Sequence, residues 1–158
     1  YRFHMLTRKA ETELTFDLGL AVEKSMENPV FYVQYAHARC CSVIRQYFKL
    51  IENIQIDKIE SKSEDIKNLE TKEIRQICQL IAQYPVILAQ SGVVFEPHRV
   101  AFYTQDLAAA FHSWYSKNKF LNANNLAATC VYVCVVQAVQ HVLEDALNTM
   151  GISAPTHM

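Results

Sequence analysis

Tyr35, Arg39, Ser42, Arg45 and Lys49 follow one another at three- or four-residue intervals, so a helix carrying them displays them as a single row. Arginine presents a planar guanidinium that meets phosphate or base edges through paired hydrogen bonds, and tyrosine presents a ring on which a base can stack. Base–aromatic stacking is worth ~1–3 kcal/mol per base, so one or two such rings matter to an affinity. The same row also describes an ordinary solvated helix face with basic residues. From composition alone that second description weighs more. His37 projects from the apolar side of the stretch and reads as a hydrogen-bonded core or interface histidine rather than a general base.

Other constellations carry less. Cys130 and Cys134 stand one helical turn apart, with His141 two turns further on, a stripe that in principle holds zinc. Their neighbours are Val131, Val133, Val135 and Val136, which favours small core residues at helical spacing instead. His98-Arg99 opens a predicted helix and could receive an anion together with the helix N-terminus. A cap or a surface contact is the commoner use of such a pair. The chain holds no glycine-rich phosphate loop, no Gly-x-Ser-x-Gly elbow, no paired-histidine zinc motif and no carboxylates paired in an apolar setting. As a free-standing catalyst it looks empty.

The elements that must position these groups are helical. The chain has 158 residues, 51% of them hydrophobic, with three glycines and four prolines, which favours long helices over a turn-rich β fold. Such a length makes one domain with a real core, burying roughly 70% of its unfolded surface. A formal net charge of −1 excludes a generic basic nucleic-acid binder, so any RNA contact must come from a local patch. Five cysteines without a disulfide framework point to a reducing cytosol. No run approaches the ~20 apolar residues of a membrane span, and no signal-peptide pattern opens the chain. Tyr1 lies inside a segment that reads as structured, as expected for a piece of a longer protein.

Residues 1–27 read as the tail of an upstream domain leading into a short helix. Asn28 suits an N-cap and Pro29 the first helical position, and helix is predicted from there to about Ile54. Val30, Val33, His37, Cys40, Val43, Ile44, Tyr47, Phe48 and Ile51 fall on its apolar side; Tyr35, Arg39, Ser42, Arg45, Gln46 and Lys49 fall opposite, joined by Phe31, which predicts a second contact near the helix start. Residues 55–70 read as a solvated connector with one capping-box candidate, Ser61 with Glu64. Thr71 caps a helix with an apolar stripe of Ile74, Ile77, Cys78 and Ile81, which Pro85 is predicted to kink or break and Gly92 to end. Glu96-Pro97 starts the next helix, carrying Val100, Tyr103, Leu107, Phe111 and Trp114. Asn124 or Asn125 caps the last. Its run at 131–136 has high β propensity, but the pattern continues to Gly151, a C′ glycine, and so predicts helix. The predicted class is all-α, an antiparallel bundle of about four or five helices.

The run Asn28-Pro-Val-Phe-Tyr-Val-Gln-Tyr-Ala-His-Ala-Arg39 closely resembles the segment by which arginyl-tRNA synthetases pass from catalytic domain to anticodon-binding domain. Glu96-Pro-His-Arg99, Leu107-Ala and Phe111-His-x-Trp-Tyr115 are similar to a later helix of that family, and Val142-Leu143 through Met158 to its C-terminal end. Phe16-Asp-Leu-Gly-Leu-Ala adds a fourth match in order, and only the lysine-rich connector stands outside.

The resemblance implies a helical anticodon-binding domain of the DALR type at 28–158, preceded at 1–27 by the tail of a class I catalytic domain. The parent it implies is an arginine-tRNA ligase, cytoplasmic and monomeric, using ATP and Mg in a catalytic domain whose HIGH-like and KMSK-like segments are not in this chain. The fragment itself is then expected to be inactive and to need no cofactor or metal. Its partners are tRNA-Arg and the catalytic domain of the same chain, with no membrane and no DNA. By motif position, the middle anticodon cytosine is gripped by Arg45, Tyr115 and Met158, while Tyr35 and Arg39 belong to the motif behind the tRNA-binding face. Gln34, Ser42, Lys49, His98 and Arg99 are the expected supports of that face. Tyr132 and His157 depart from the pattern, standing where relatives usually carry arginine. Two alternatives stay open: the equivalent module of another class I synthetase, which should lack the run at 34–39, and a helical protein–protein interaction domain whose polar face is merely solvated.

Overall fold

Asn28 starts the first long helix as its type predicts. Its side-chain oxygen accepts from the Val30 N–H at 3.2 Å, and its amide donates to the Glu23 carbonyl at 2.8 Å. The structure, a computed structural model, describes residues 1–8, 17–52 and 71–158. These form α1 (Arg2–Leu6), α2 (Leu18–Val22), α3 (Pro29–Glu52), α4 (Lys72–Val94), α5 (His98–Lys117) and α6 (Leu126–Thr149), with no strand among the described residues. The predicted end of the first long helix at 53–54, the 55–70 connector and its capping-box pair, Ser61 with Glu64, lie outside the described residues.

Cross-helix contacts define the topology. Lys117 meets Glu73, Tyr103 donates to the Leu80 carbonyl, and Ser91 donates to the Glu96 carbonyl, so α4 and α5 run antiparallel. Tyr47 meets Cys130 and His37 meets Gln140, so α3 and α6 are antiparallel as well. Tyr32 meets His112 and, further along α3, Arg39 meets Tyr115 further along α5, so α3 runs parallel to α5. The apolar stripes of the four long helices converge on a core that includes Val33, Cys40, Ile77, Leu107, Phe111, Trp114, Val136 and Leu143. Phe3 of α1 is buried in the same core, so the first residues pack on the bundle.

The caps follow the residue types. Thr71 accepts from Ile74 N–H, and Asn125, rather than Asn124, accepts from Ala128 N–H at 2.9 Å. At the end of α6 the Ile152 N–H bonds the Leu147 carbonyl and the Gly151 N–H the Asn148 carbonyl, a Schellman motif with Gly151 at φ 65°. The valine-rich run at 131–136 is helix.

Several expectations are corrected. Pro85 does not end α4, although an internal proline forfeits a backbone hydrogen bond. Tyr84 beside it is pinned, donating to Asp145 Oδ2 at 2.5 Å and stacking on Tyr103 at 5.5 Å, and this anchoring carries the helix across. The left-handed cap of α4 falls on Phe95 (φ 54°) and not on Gly92. Cys78, Cys130 and Cys134 are exposed, as is His141, so they are not core residues. Val133, Val136, Val139 and Leu143 already fill the inner side of α6. Phe48 is likewise exposed. By length and composition α4 and α6 are each apolar enough to cross a membrane, with mean hydropathies of 1.4 and 1.7, against the expectation that no run comes close. In α6 that apolarity supplies the bundle core.

Candidate nucleic-acid interface

The polar row of α3 forms one wall of a cavity. Arg39 is its centre, with its guanidinium carbon 4.3 Å from the Tyr35 ring centroid and 4.7 Å from that of Tyr115 on α5. One amino group donates to Tyr35 Oη at 3.0 Å, and the other lies 3.4 Å from His112 Nδ1. Tyr35 also stacks against His112 at 5.8 Å and against Phe31 at 6.0 Å, which explains why Phe31 sits with the polar group. A flat cation in contact with both rings therefore bridges α3 and α5 at this level.

Residues 151–158 supply the second wall. Leaving the left-handed Gly151, the segment turns back across α3 and is held by hydrogen bonds from Arg2, Gln34, His37 and Arg45. Arg2 donates to the Gly151 carbonyl at 2.6 Å, Gln34 to the Ser153 carbonyl at 2.8 Å and Arg45 to the Thr156 carbonyl at 3.1 Å. His37 Nδ1 lies 2.9 Å from the Pro155 carbonyl. His157 and Met158 thereby reach a cavity of about 380 Å³ lined by Tyr35, Ala38, Arg39, Ser42, Arg45 and Tyr115. Met158 stays half-exposed at its mouth.

Of the predicted residues, Tyr35, Arg39, Ser42, Arg45, Tyr115 and Met158 are thus brought together. Gln34 supports the segment from beneath and lines an adjoining groove with Phe31. Lys49 lies on the same row, exposed, but does not line the cavity. His98 and Arg99 stand at the opposite end of α5 from Tyr115, about 25 Å away at the helical rise of ~1.5 Å per residue. There Arg99 pairs with Glu96 and His98 meets Phe102 edge-on, in a separate groove. Tyr132 packs edge-on against Trp114 and Phe120, so it extends an aromatic cluster behind Tyr115.

Sequence reasoning missed His112. Nearly buried, it approaches the Tyr32 carbonyl with Nε2 at 3.2 Å and Arg39 with Nδ1. Because a carbonyl only accepts and a guanidinium only donates, the ring fits as the Nε2–H tautomer. Burial lowers its pKa, the Arg39 charge lowers it further, and the Tyr32 carbonyl opposes both. The available signals were its place on α5, one turn before Tyr115, and its membership of the Phe111-His-x-Trp-Tyr115 run.

Nothing here resembles a nucleophilic centre. Burial pushes the Cys40 thiol well up, and Cys41 is raised chiefly by burial too. Among the described residues no three His, Cys, Asp or Glu side chains gather to hold a metal ion. What the cavity offers is flat rings, guanidinium donors and backbone carbonyls.

The model of the DALR anticodon binding domain matches residues 33–158. The arginine–tRNA ligases of Methylobacterium nodulans and Burkholderia cenocepacia are 40% and 38% identical to the chain over 99% of it, and the match covers 28% and 26% of their own lengths. The chain therefore spans about a quarter of these relatives. The arginyl-tRNA synthetase of Thermus thermophilus shares the fold, with a TM-score of 0.75 at 24% identity over 99% of this chain and 26% of that one.

Proposed function

The chain belongs to the family of DALR anticodon binding domains, and we propose on that premise that its cavity grips the anticodon of tRNA-Arg for an arginine-tRNA ligase. The observation that carries the reading is the meeting of Tyr35, Arg39, Arg45, Tyr115 and Met158 from three distant stretches at one cavity. The identity to arginine–tRNA ligases supports the choice of parent.

The proposed parent joins arginine to tRNA-Arg with ATP and Mg in a catalytic domain outside this chain. Residues 1–27 are read as the end of that domain and its connecting segment. This fragment contributes recognition and no chemical step. The proposed setting is a cytoplasmic monomer with neither membrane nor DNA as a partner.

The chemistry suits an extruded pyrimidine. Cytosine offers an N4 amine donor beside acceptor atoms. Arg45 spends one N–H on Thr156 and retains others for an acceptor edge. Tyr35 and Tyr115 offer ring faces, and Met158 closes the mouth with an apolar side chain. Arg39 adds positive charge beneath the base, held where the rings fix it. The positive charge is local, as the overall charge of −1 requires.

The test is binding of tRNA-Arg transcripts that differ only at the middle anticodon base. A well-placed base contact discriminates by ~1–3 kcal/mol, so guanine in place of cytosine should weaken binding roughly ten- to hundredfold. Equal affinity for the two transcripts refutes the reading.

A further inference from the structure

His37 lies wholly inside the protein, yet neither ring nitrogen is left without a neighbour. Nδ1 faces the Pro155 carbonyl at 2.9 Å, and Nε2 faces the Gln140 amide nitrogen on α6 at 3.2 Å. That amide nitrogen also lies 2.7 Å from a Glu144 carboxylate oxygen, one turn further along α6. Cys41 Sγ lies 3.9 Å from Nδ1 and 3.8 Å from Nε2, so it favours neither.

The two ends of this chain of groups fix everything between them. An ionised carboxylate only accepts, so Glu144 turns the NH₂ of Gln140 toward itself. The second N–H of that group is then aimed at His37 Nε2. A proton on Nε2 would meet it head-on, so Nε2 accepts and the ring proton sits on Nδ1. At the other end the Pro155 carbonyl also only accepts, and Nδ1–H is what it requires.

We infer that Gln140 and Glu144 are positioning residues of the cavity: they hold His37 in the Nδ1–H tautomer, and His37 in turn seats residues 151–158. The Arg2, Gln34 and Arg45 bonds to the same segment lie at exposed positions where water competes, whereas the His37 ring is fully buried. Thr156, His157 and Met158 follow directly from the anchored Pro155, so the second wall of the cavity is located by a carboxylate that does not line it. The consequence for RNA rests on the anticodon reading. The seating of the segment does not.

Nitrogen NMR of the histidine rings in the 158-residue chain, in mildly alkaline buffer, tests the wiring without a mutation. The expected His37 spectrum has a protonated Nδ1 and a pyridine-like Nε2, and the reverse pattern overturns the inference. Gln140→Met keeps the length and removes the amide. Backbone order parameters of Ser153, Ala154, Thr156 and His157 are then expected to fall from about 0.85 toward the flexible range below about 0.6, with α6 unchanged. A segment as rigid as in the parent chain overturns the positioning role, and if the variant does not fold the tautomer measurement still decides. Both readouts are made without RNA. Transcript affinity is expected to drop roughly five- to tenfold in Gln140→Met; an unchanged affinity with a freed segment supports the relay and counts against the anticodon reading alone.

Discussion

The guanidinium of Arg39 on α3 lies 4.7 Å from the ring centroid of Tyr115 on α5, and this contact joins the two helices that flank the cavity. A planar, forked cation suits the place, because its carbon also lies 4.3 Å from the Tyr35 centroid, one amino group donates to Tyr35 Oη and the other meets His112. Lysine keeps the charge but has neither the plane nor the fork. Arg39→Lys is therefore expected to weaken tRNA-Arg binding roughly tenfold, on the scale of ~1–2 kcal/mol for a desolvated cation–π contact. Full affinity in the lysine variant, measured by fluorescence anisotropy, would show that charge alone suffices.

Arg45→Ala and Tyr115→Ala remove, respectively, the bond to Thr156 and a stacking face. Each is expected to cost roughly ten- to hundredfold in transcript affinity, as loss of a ~1–3 kcal/mol stacking or base contact does. Lys49→Ala and Arg99→Ala, outside the cavity, should stay within about threefold at moderate salt. If all four variants behave alike, the binding is diffuse electrostatics.

His112 makes stability depend on pH. Its pKa in the fold is lowered from the ordinary 6.5, first by burial and then by Arg39. The unfolded chain therefore takes up the proton more readily, and the stabilisation from this ring is complete above about pH 6.5 and lost as pH falls through the lowered folded value. Thermal unfolding should show Tm declining over that acidic range, with a shallower decline in His112→Gln, which retains a donor for the Tyr32 carbonyl. Parallel declines in the two proteins would assign the pH dependence to other groups.

Two left-handed residues respond in opposite directions. At Gly151 (φ 65°) a Cβ is strained by the left-handed backbone and would displace the Arg2 guanidinium from its carbonyl. Gly151→Ala is expected to destabilise by about 1–2 kcal/mol and to weaken RNA binding, since the segment then leaves α6 at a different angle. Phe95 (φ 54°) is 89% exposed and contributes little packing, so Phe95→Gly should stabilise by about 0.5–1 kcal/mol. Denaturant unfolding of both variants measures the pair.

Much of this fold is legible in the sequence because its signals are local. Asn28-Pro29, Thr71, Asn125 and Gly151 mark helix ends through hydrogen bonds that span only a few residues. The row from Tyr35 to Arg45 is legible for the same reason, being a matter of period. The α6 cysteines were misplaced because a helix apolar on most sides carries no direction: valines flank Cys130 and Cys134 all round, and only the neighbouring helices determine which are covered. That the helix continues past Pro85 is not legible, because its neighbour's bond to Asp145 is tertiary. The His112 bonds and the return of residues 151–158 across α3 join distant parts of the chain, and no periodicity encodes them.

The Schellman turn at Gly151 also has a consequence for the order in which the molecule assembles. Segment 151–158 bonds to Arg2, His37 and Arg45 across sequence separations of 149, 118 and 111 residues, among the longest the chain allows. Closing such loops is entropically costly until the helices already stand together. The cavity is therefore expected to be completed last during folding, and, resting largely on exposed hydrogen bonds, to open first on warming while the bundle beneath it is still intact.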